Sequence, residues 1–402
     1  MPTSSIKKLI IGIIASCGVT LSACGQNTAI NTDGKSNLHA TATPLMPMPK
    51  ANIRQFDINE QGVLSVVLQT GELWQKDNTW QKLGQDFSPN IAPVSKYGKI
   101  ALADQNARLV LFIDGKMTNT DIVLANDAQM LALPFAMITT IQHNNNTHLA
   151  RINHQGKIEA VRDDFAVLPD GTPLQIDLQN QQDGGHIAVL AKPDHHTYQH
   201  GVLGDDIEAG EIRYLERHTL QDLLSPFTLD GQVFEANRLT AWQHHGQNYL
   251  ISTPAGNGVG ASTAVIGEQD GKLTIKAQST PLPSHRWQSP FVLADSLYAV
   301  QMPHLKRQLV RYDWQGDKLI ATTLADGISN HKIGDRNTDL SAKTAKYAAL
   351  PTADYQGLVA LSDNHITPIY HFNQPIRQIK SHQNDFYVLL DDGTLWQLTI
   401  SQ

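Results

Sequence analysis

The stretch from Ile53 to Gln75, IRQFDINEQGVLSVVLQTGELWQ, has a close counterpart near the other end of the chain. The segment from Ile376 to Gln397 reads IRQIKSHQNDFYVLLDDGTLWQ, and its spacing differs by one residue. In both copies a run that starts with Ile-Arg-Gln leads to an apolar run, and a glycine turn then precedes Leu-Trp-Gln. Short runs of this kind, separated by turn residues, are typical of β-strands. The repeat predicts that both ends of the chain belong to β-sheet units of one kind.

The same order of elements recurs between the two ends. Each unit has an apolar central run, usually with one run before it and two after it, and the last unit has one run after it. An all-β propeller of eight four-stranded blades, with roughly 44 residues per blade, explains this pattern, and a seven-bladed ring is the alternative. We expect a strand near Leu45–Ile53 to complete the last blade and remove its exposed sheet edge. The eight central runs begin near Leu64, Lys99, Ala136, His186, Tyr249, Leu297, Tyr347 and Phe386.

The first 24 residues have the features of an export signal. Two lysines precede an apolar stretch from Leu9 to Val19, which is shorter than the roughly 20 apolar residues of a membrane span. The ending Leu21-Ser22-Ala23-Cys24 resembles the lipobox of bacterial lipoproteins, in which a peptidase cuts before a lipid-modified cysteine. An ordinary signal peptide with a chance cysteine, or processing at Cys17, are the alternatives.

The lipobox resemblance defines three regions of the chain. Residues 1–23 are the signal peptide, 24–50 a lipidated flexible tether, and 51–402 the β-propeller. Because Cys17 leaves with the signal, Cys24 has no partner for a disulfide, and its acyl chains would anchor the protein to the membrane. Gly25, rather than aspartate, follows the cysteine, so the resemblance implies the outer membrane, and we favour its periplasmic side over the cell surface.

The charge of the chain argues against nucleic acid as a partner. The formal net charge is −7, and it becomes −9 when the signal peptide with its two lysines is removed. Proteins that bind nucleic acid need a basic surface. We therefore expect the partners to be the membrane, through the lipid, and an envelope protein, peptide or glycan.

Two segments resemble FG-GAP or VCBS-type repeats, in which an Asp/Asn-rich calcium loop precedes a β run. They are Asp57–Val67 and Asp177–Val189, and the resemblance implies a propeller. Gln61 and Gln181 stand where the family has acidic residues, and calcium sites normally need several charged oxygen ligands. We therefore expect no bound metal and no other cofactor.

Long connections concentrate on one side of the predicted propeller. Connections from the second to the third strand of a blade, and those from one blade to the next, open on the same face. The opposite face has mostly tight turns such as Asp114-Gly115 and Asp270-Gly271. Long loops are commonly functional, so we expect this side, the loop-rich face, to be the working surface. Its long connections are His195–Glu211, Gly256–Ala261, Thr280–Gln288, Asp326–Asp339 and Pro351–Gln356.

Two of these connections share a pattern. The sequence HGVLGD at His200–Asp205 resembles HKIGD at His331–Asp335, and we expect the two loops to lie on the loop-rich face and converge over the central channel. Their side chains could form a structured rim, bind a ligand or partner, or build a metal or catalytic centre. The sequence leaves these three hypotheses as alternatives. The ligand-binding candidates are His195, His200, Asp205, Asp206, Glu208, His285, Arg286, Trp287, His331, Asp335 and Arg336.

No HExxH, Walker or GxSxG motif indicates an enzyme class. The sequence therefore favours a non-enzymatic binding or scaffolding lipoprotein, similar in anchoring and architecture to the propeller lipoprotein of the Gram-negative outer-membrane assembly machinery. The glycine/tryptophan repeats of that quinoprotein-like family are not apparent. The alternative is an envelope hydrolase or lyase acting on glycans. Buried His–carboxylate pairs or a bound metal would favour the enzyme, and an exposed rim would favour binding.

Overall fold

The computed structural model describes residues 38–256 and 258–401. The predicted signal peptide, Cys24 and the tether up to residue 37 lie outside the described residues, so the lipid anchor stays a prediction. The described part of the chain is almost entirely built from β-strands, with one short 3₁₀ turn at Gly201–Leu203. No helix in the described ranges is long and apolar enough to cross a membrane.

The strands of the first half of the chain begin with a single strand and continue as three blades and part of a fourth. They are β1 (His39–Pro44), β2 (Ile53–Ile58), β3 (Leu64–Leu68), β4 (Leu73–Lys76), β5 (Trp80–Gly84), β6 (Val94–Lys96), β7 (Lys99–Ala103), β8 (Arg108–Ile113), β9 (Lys116–Val123), β10 (Met130–Leu133), β11 (Ala136–His143), β12 (Asn146–Asn153), β13 (Ile158–Arg162), β14 (Leu174–Ile176), β15 (His186–Asp194) and β16 (Glu208–Leu215).

The second half completes blade 4 and adds four more blades. Its strands are β17 (Gln232–Phe234), β18 (Thr240–His244), β19 (Gln247–Ser252), β20 (Pro254–Gly256), β21 (Ala264–Gln269), β22 (Lys272–Ser279), β23 (Gln288–Leu293), β24 (Ser296–Gln301), β25 (Gln308–Gln315), β26 (Lys318–Ala325), β27 (Ala342–Lys343), β28 (Ala348–Pro351), β29 (Gly357–Ser362), β30 (His365–His371), β31 (Ile376–His382), β32 (Asp385–Leu390) and β33 (Leu395–Ser401).

The eight-bladed propeller predicted from the repeats is confirmed. Blades 1 to 8 start with β2, β6, β10, β14, β18, β23, β27 and β31, and each predicted central run is the second strand of its blade. These first strands contact one another around a central channel, as β2 contacts both β6 and β31. Second strands are covered by a sheet neighbour on each edge and by a blade on each face. All five residues of β3 are therefore buried, which is why four of them, all except Ser65, are apolar.

An N-terminal strand closes the ring, but the predicted bounds of that strand are wrong. β1 pairs with β33 from His39 opposite Ser401 to Pro44 opposite Trp396, and it supplies the outermost strand of blade 8. The expected segment Leu45–Ile53 instead leads into β2, with Leu45 buried. The predicted tether therefore extends too far, because residues 39–44 belong to the folded body. β1 packs only small residues, Ala40 and Ala42, against the core, so its apolar signal is weak.

The opposite face consists of short turns, as expected. Asp114 and Gly115 between β8 and β9 have φ values of 50° and 74°, and Asp270 and Gly271 between β21 and β22 have 51° and 75°. Two consecutive residues with positive φ are the signature of the type I′ turns that fit the twist of a hairpin. This geometry leaves the long connections on the loop-rich face.

Blades 4 to 6 depart from the simple repeat. β20 leaves the β19–β21 connection of blade 5 and pairs with β17, so blade 4 has a fifth strand. The outer strands of blades 5 and 6 also pair, since β22 runs parallel to β26 at Gln278 and Ser279. The β17–β20 pairing lies beside the candidate residues, because Nε1 of Trp287 donates to the carbonyl oxygen of Glu235, the residue after β17.

Candidate functional site

The sequence-predicted candidates all lie on the loop-rich face. His195, His200, Asp205 and Asp206 are in the β15–β16 connection, and Glu208 begins β16. The second group, His285, Arg286 and Trp287, precedes β23, and the third, His331, Asp335 and Arg336, lies between β26 and β27. Three different connections, from blades 4, 5 and 6, therefore contribute to one region.

The two loops that share the His…Gly-Asp pattern contact each other. The backbone N–H of Gly334 donates to the carbonyl oxygen of Val202 at 2.9 Å. Gly204 adopts φ of 100°, and a Cβ there would lie 2.9 Å from Cγ of Arg336, so only glycine permits this approach. The predicted convergence of these loops is thus what the structure shows.

Arg336 joins connections that are far apart in the ring. Its Nη1 lies 2.9 Å from Oδ2 of Asp127, in the β9–β10 connection, and its Nη2 lies 3.4 Å from Oδ2 of Asp205. Its carbonyl oxygen accepts a hydrogen bond from Nδ2 of Asn237 at 2.7 Å. The cavity beneath it, lined by Asp170 and Glu208 among others, is about 10 Å³, room for about one water molecule. This part of the face is a closed surface rather than a cleft.

A buried histidine–carboxylate pair lies next to this cavity. Nδ1 of His200 forms a hydrogen bond with Oε1 of Glu235, and both side chains are buried. The carbonyl oxygen of Glu235 accepts hydrogen bonds from Nε1 of Trp287 and Oγ1 of Thr253, both at 2.7 Å. The other carboxylate oxygen of Glu235 is buried and has no hydrogen-bond partner among the described residues. The pair fixes β17 and the β15–β16 connection to each other.

Burial raises the pKa of two glutamates in this region. The pKa of Glu235 is raised by burial, and the hydrogen bond and charge of His200 only partly offset that rise. The pKa of Glu208 is raised well above its usual range, first by burial and then by the negative charges of Glu235 and Asp205. In both cases the low-dielectric interior stabilises the charged carboxylate less than water does, so burial favours the protonated form.

A second histidine pair supports the β26–β27 connection. Nε2 of His304 and Nδ1 of His331 are 2.7 Å apart, and Nε2 of His331 lies 2.6 Å from the carbonyl oxygen of Asp335. Burial lowers the pKa of His331 to about 4, and burial together with the charge of His331 lowers the pKa of His304 to about 4. Both rings are therefore neutral at pH 7. Since the carbonyl oxygen only accepts, Nε2 of His331 carries the proton and its Nδ1 accepts from His304.

The candidate residues divide by burial, which the sequence did not indicate. His200, Glu208, Trp287 and His331 are buried, so they hold the loops together instead of facing solvent. The exposed candidates are His195, Asp206, His285 and Arg286, and the partly exposed ones are Asp205, Asp335 and Arg336.

Sequence reasoning missed three residues of this region. Glu235 and His304 belong to the buried pairs, and Tyr198 stacks on His285 with ring centroids 5.2 Å apart. Neither Glu235 nor His304 lies in a recognisable motif, and His304 is one of 17 histidines. The only available signal was the local clustering of aromatic and histidine residues around Tyr198.

The described residues contain no group of three or more His, Cys, Asp or Glu side chains that could hold a metal ion. In the calcium-like segments the acidic and amide oxygens cap the backbone instead. Asp177 accepts the N–H groups of Gln181 and Gln182, and Asn59 accepts those of Gln61 and Val63. The arrangement is that of local turns in both segments.

Two large apolar side chains project from the loop-rich face. Leu305, in the β24–β25 connection, is 64% exposed, and Ile333, in the β26–β27 connection, is 70% exposed. Leu305 directly follows His304, and Ile333 lies two residues after His331. The buried His304–His331 pair therefore holds the backbone next to both apolar side chains in place. On the opposite face, Phe135 in the β10–β11 turn is 79% exposed.

The comparisons with known proteins concern the fold. No family model and no curated protein matches the chain. BamB from Moraxella catarrhalis superposes with a TM-score of 0.53 and 11% identity, over 90% of this chain and 98% of that chain. Virginiamycin B lyase from Staphylococcus aureus gives 0.43 and 14% identity over 90% and 99%, and a catalytically inactive variant of it with quinupristin gives 0.43 and 13% over the same shares. The similarity to BamB shows a shared propeller fold.

Proposed function

We propose that the chain is a non-enzymatic binding or scaffolding module of the bacterial cell envelope and that its loop-rich face contacts the partner. One observation carries the proposal: connections from several blades are locked into a closed surface from which Leu305 and Ile333 project, at 64% and 70% exposure. Exposed apolar side chains on a rigid, polar-rimmed surface are typical of protein–protein contact sites. The partner that best fits this surface is an envelope protein or peptide.

The envelope location is part of the proposal and rests on the lipobox at Leu21–Cys24. A diacylated and N-acylated Cys24 would hold the propeller at the outer membrane, on the periplasmic side, and the tether up to residue 37 would let it stand off the bilayer. The propeller fold shared with BamB is compatible with this location. Cys24→Ser tests it, because the unlipidated protein should move to the soluble fraction on cell fractionation. A variant that stays entirely in membranes with normal processing would contradict the anchor.

The partner-binding surface can be tested by site-specific photo-crosslinking in intact cells. A photoreactive residue at Leu305 or Ile333 should give discrete adducts with an envelope protein. The same residue at Phe135, which is 79% exposed but on the opposite face, is the matched control. Adducts at Phe135 with the same pattern, or none at either position on the loop-rich face, would rule out this surface.

The buried His200–Glu235 pair is the observation that favours an enzyme. A histidine held by a carboxylate can move a proton, as a hydrolase or lyase acting on glycans would require. The cavity beside it, about 10 Å³, is far too small for a sugar, so this second candidate needs the loops to open. Incubation with cell-wall glycan and detection of new reducing ends or unsaturated sugars tests it. Product formation that Glu235→Gln abolishes would favour the enzyme over the binding module.

A further inference from the structure

The repeat at the two chain ends places two arginines in equivalent positions. Arg54 is the second residue of β2 and Arg377 the second residue of β31. In both blades the register between the first and second strands shifts at this residue, between Ile53 and Gln55 and between Ile376 and Gln378. A β-bulge inserts one unpaired residue and redirects its side chain, and bulges are frequent beside functional sites. Both arginines are therefore the bulged residues of innermost strands.

The two bulges lie side by side at the channel mouth of the loop-rich face. β2 and β31 are adjacent innermost strands. The N–H of Ile53 bonds to the carbonyl oxygen of Gly393 in the β32–β33 turn, and the N–H of Ile376 bonds to that of Tyr355 in the β28–β29 turn. Each strand thus begins against the equivalent turn of the preceding blade. This fixes the two arginines at the same depth in neighbouring blades.

The surroundings compensate this pair of positive charges only in part. No ion pair or side-chain hydrogen bond of Arg54 or Arg377 is found among the described residues. The two acids whose charges act on Arg377 have other partners, since Asp391 forms an ion pair with Lys332 at 2.9 Å and Asp335 accepts the N–H of Asn337 at 3.0 Å. Burial and the charge of Arg54 lower the pKa of Arg377, and the negative charges of Asp391 and Asp335 offset this only in part. Two like charges that the fold brings together, half-buried and with no carboxylate bonded to either among the described residues, would be stabilised by a counterion.

We propose that Arg54 and Arg377 bind an oxyanion, a carboxylate or phosphate group, at the mouth of the channel on the loop-rich face. Guanidinium groups present paired N–H donors that match the oxygens of both anions. The anion replaces the missing acid between the two arginines, and burial strengthens the interaction relative to bulk water. The site does not depend on the proposed partner surface and can be occupied whether or not that surface binds a protein.

The test uses the purified lipid-free protein and measures the melting temperature in phosphate, acetate and chloride at constant ionic strength. The wild-type melting temperature should rise with phosphate or acetate concentration and saturate, because a ligand that binds only the folded state stabilises it. Whichever of phosphate and acetate raises the melting temperature more identifies the class of anion that the site prefers. Arg54→Gln and Arg377→Gln should each abolish the rise, and Arg377→Lys should weaken it by losing the fork geometry. Arg108→Gln, an exposed arginine on β8, is the control with the same charge change and should respond like wild type.

A second readout separates anion binding from a structural role. In chloride alone, Arg54→Gln and Arg377→Gln should have melting temperatures equal to or above the wild type, because each removes like-charge repulsion. Lower melting temperatures in chloride for both variants would overturn the proposal by showing that the arginines support the fold. An anion response that is absent in the wild type, or unchanged in both glutamine variants, would overturn it as well.

Discussion

At the residue scale, Glu208 illustrates how burial changes the role of a polar side chain. It was expected to face a ligand as part of a polar loop, yet it is 2% exposed and lies among other acids beside the small cavity. A carboxyl group in that position is most stable when protonated. Glu208 therefore ties the stability of the loop-rich face to pH.

Glu208→Gln should remove part of the pH dependence of stability. Because the folded-state pKa of Glu208 is raised, the folded protein keeps a proton that the unfolded chain releases. The stabilisation is complete below the unfolded pKa of about 4.3 and is lost as the pH rises through the folded pKa. Melting temperatures above a pH of about 7.5, where histidines with an unfolded-state pKa of about 6.5 are mostly neutral in both states, should fall less with pH in the variant. Asp121→Asn, on the exposed edge of β9, is the control, and matching slopes for Glu208→Gln and the wild type would contradict this account.

His331→Ala should destabilise the protein, whereas His195→Ala should not. His331 is fully buried and bonds to His304 and to the carbonyl oxygen of Asp335. Its removal leaves buried polar groups unsatisfied, which costs about 1–3 kcal/mol for each group. His195 is exposed, and its loss should change the free energy of unfolding by less than about 0.5 kcal/mol. Chemical denaturation of both variants measures the difference, and equal effects would mean that the His304–His331 pair contributes nothing to folding.

At the element scale, the sequence predicts the second strand of each blade well and the outermost strand of blade 8 poorly. β3 and β32 are apolar except for Ser65 and the first residue, Asp385, because other strands and blades cover them on every side, so their signal is local. β1 packs only alanines and pairs with a strand more than 350 residues away, and no local pattern encodes that pairing. The convergence of the β15–β16 and β26–β27 connections could be predicted from their shared motif and from strand order. The burial of His200 and His331 could not, since it depends on Glu235 and His304 in other connections.

Deleting β1 should expose the edge of β33 and cause self-association. In the closed ring β33 pairs with β32 on one side and with β1 on the other. A chain that starts at Leu45 leaves the second edge open, and an unpaired edge strand is a template for pairing with another chain. We expect a lower melting temperature and concentration-dependent oligomers by light scattering. A chain that starts at residue 38 keeps β1 and is the matched control, and identical behaviour of the two chains would show that β1 is dispensable for closure.

At the scale of the whole molecule, β32 is the contact between the first and last parts of the chain. Its side chains alternate between two neighbours, as the period of a strand requires. Phe386, Val388 and Leu390 pack with residues of blade 7, whereas Tyr387 and Leu389 pack with residues of blade 1. One strand thus completes the core on both sides of blade 8, the blade in which the first and last parts of the chain pair.

Removal of residues 385–402 should therefore abolish cooperative unfolding. The truncation deletes β32 and β33, takes away the pairing partner of β1, and uncovers apolar side chains such as Phe56 of blade 1 and Leu358 of blade 7. Full burial of one large apolar side chain contributes roughly 1.5–3 kcal/mol, and a domain is stable by only about 5–15 kcal/mol, so the loss of several such contacts exceeds the margin. Gln397→Ala, which removes a 2.6 Å hydrogen bond to Asp385 but keeps every strand, is the control and should melt in one sharp transition near the wild type. Calorimetry of the truncated chain should show a broad or absent transition. A single sharp transition at the wild-type temperature would mean that the remaining seven blades are stable without ring closure.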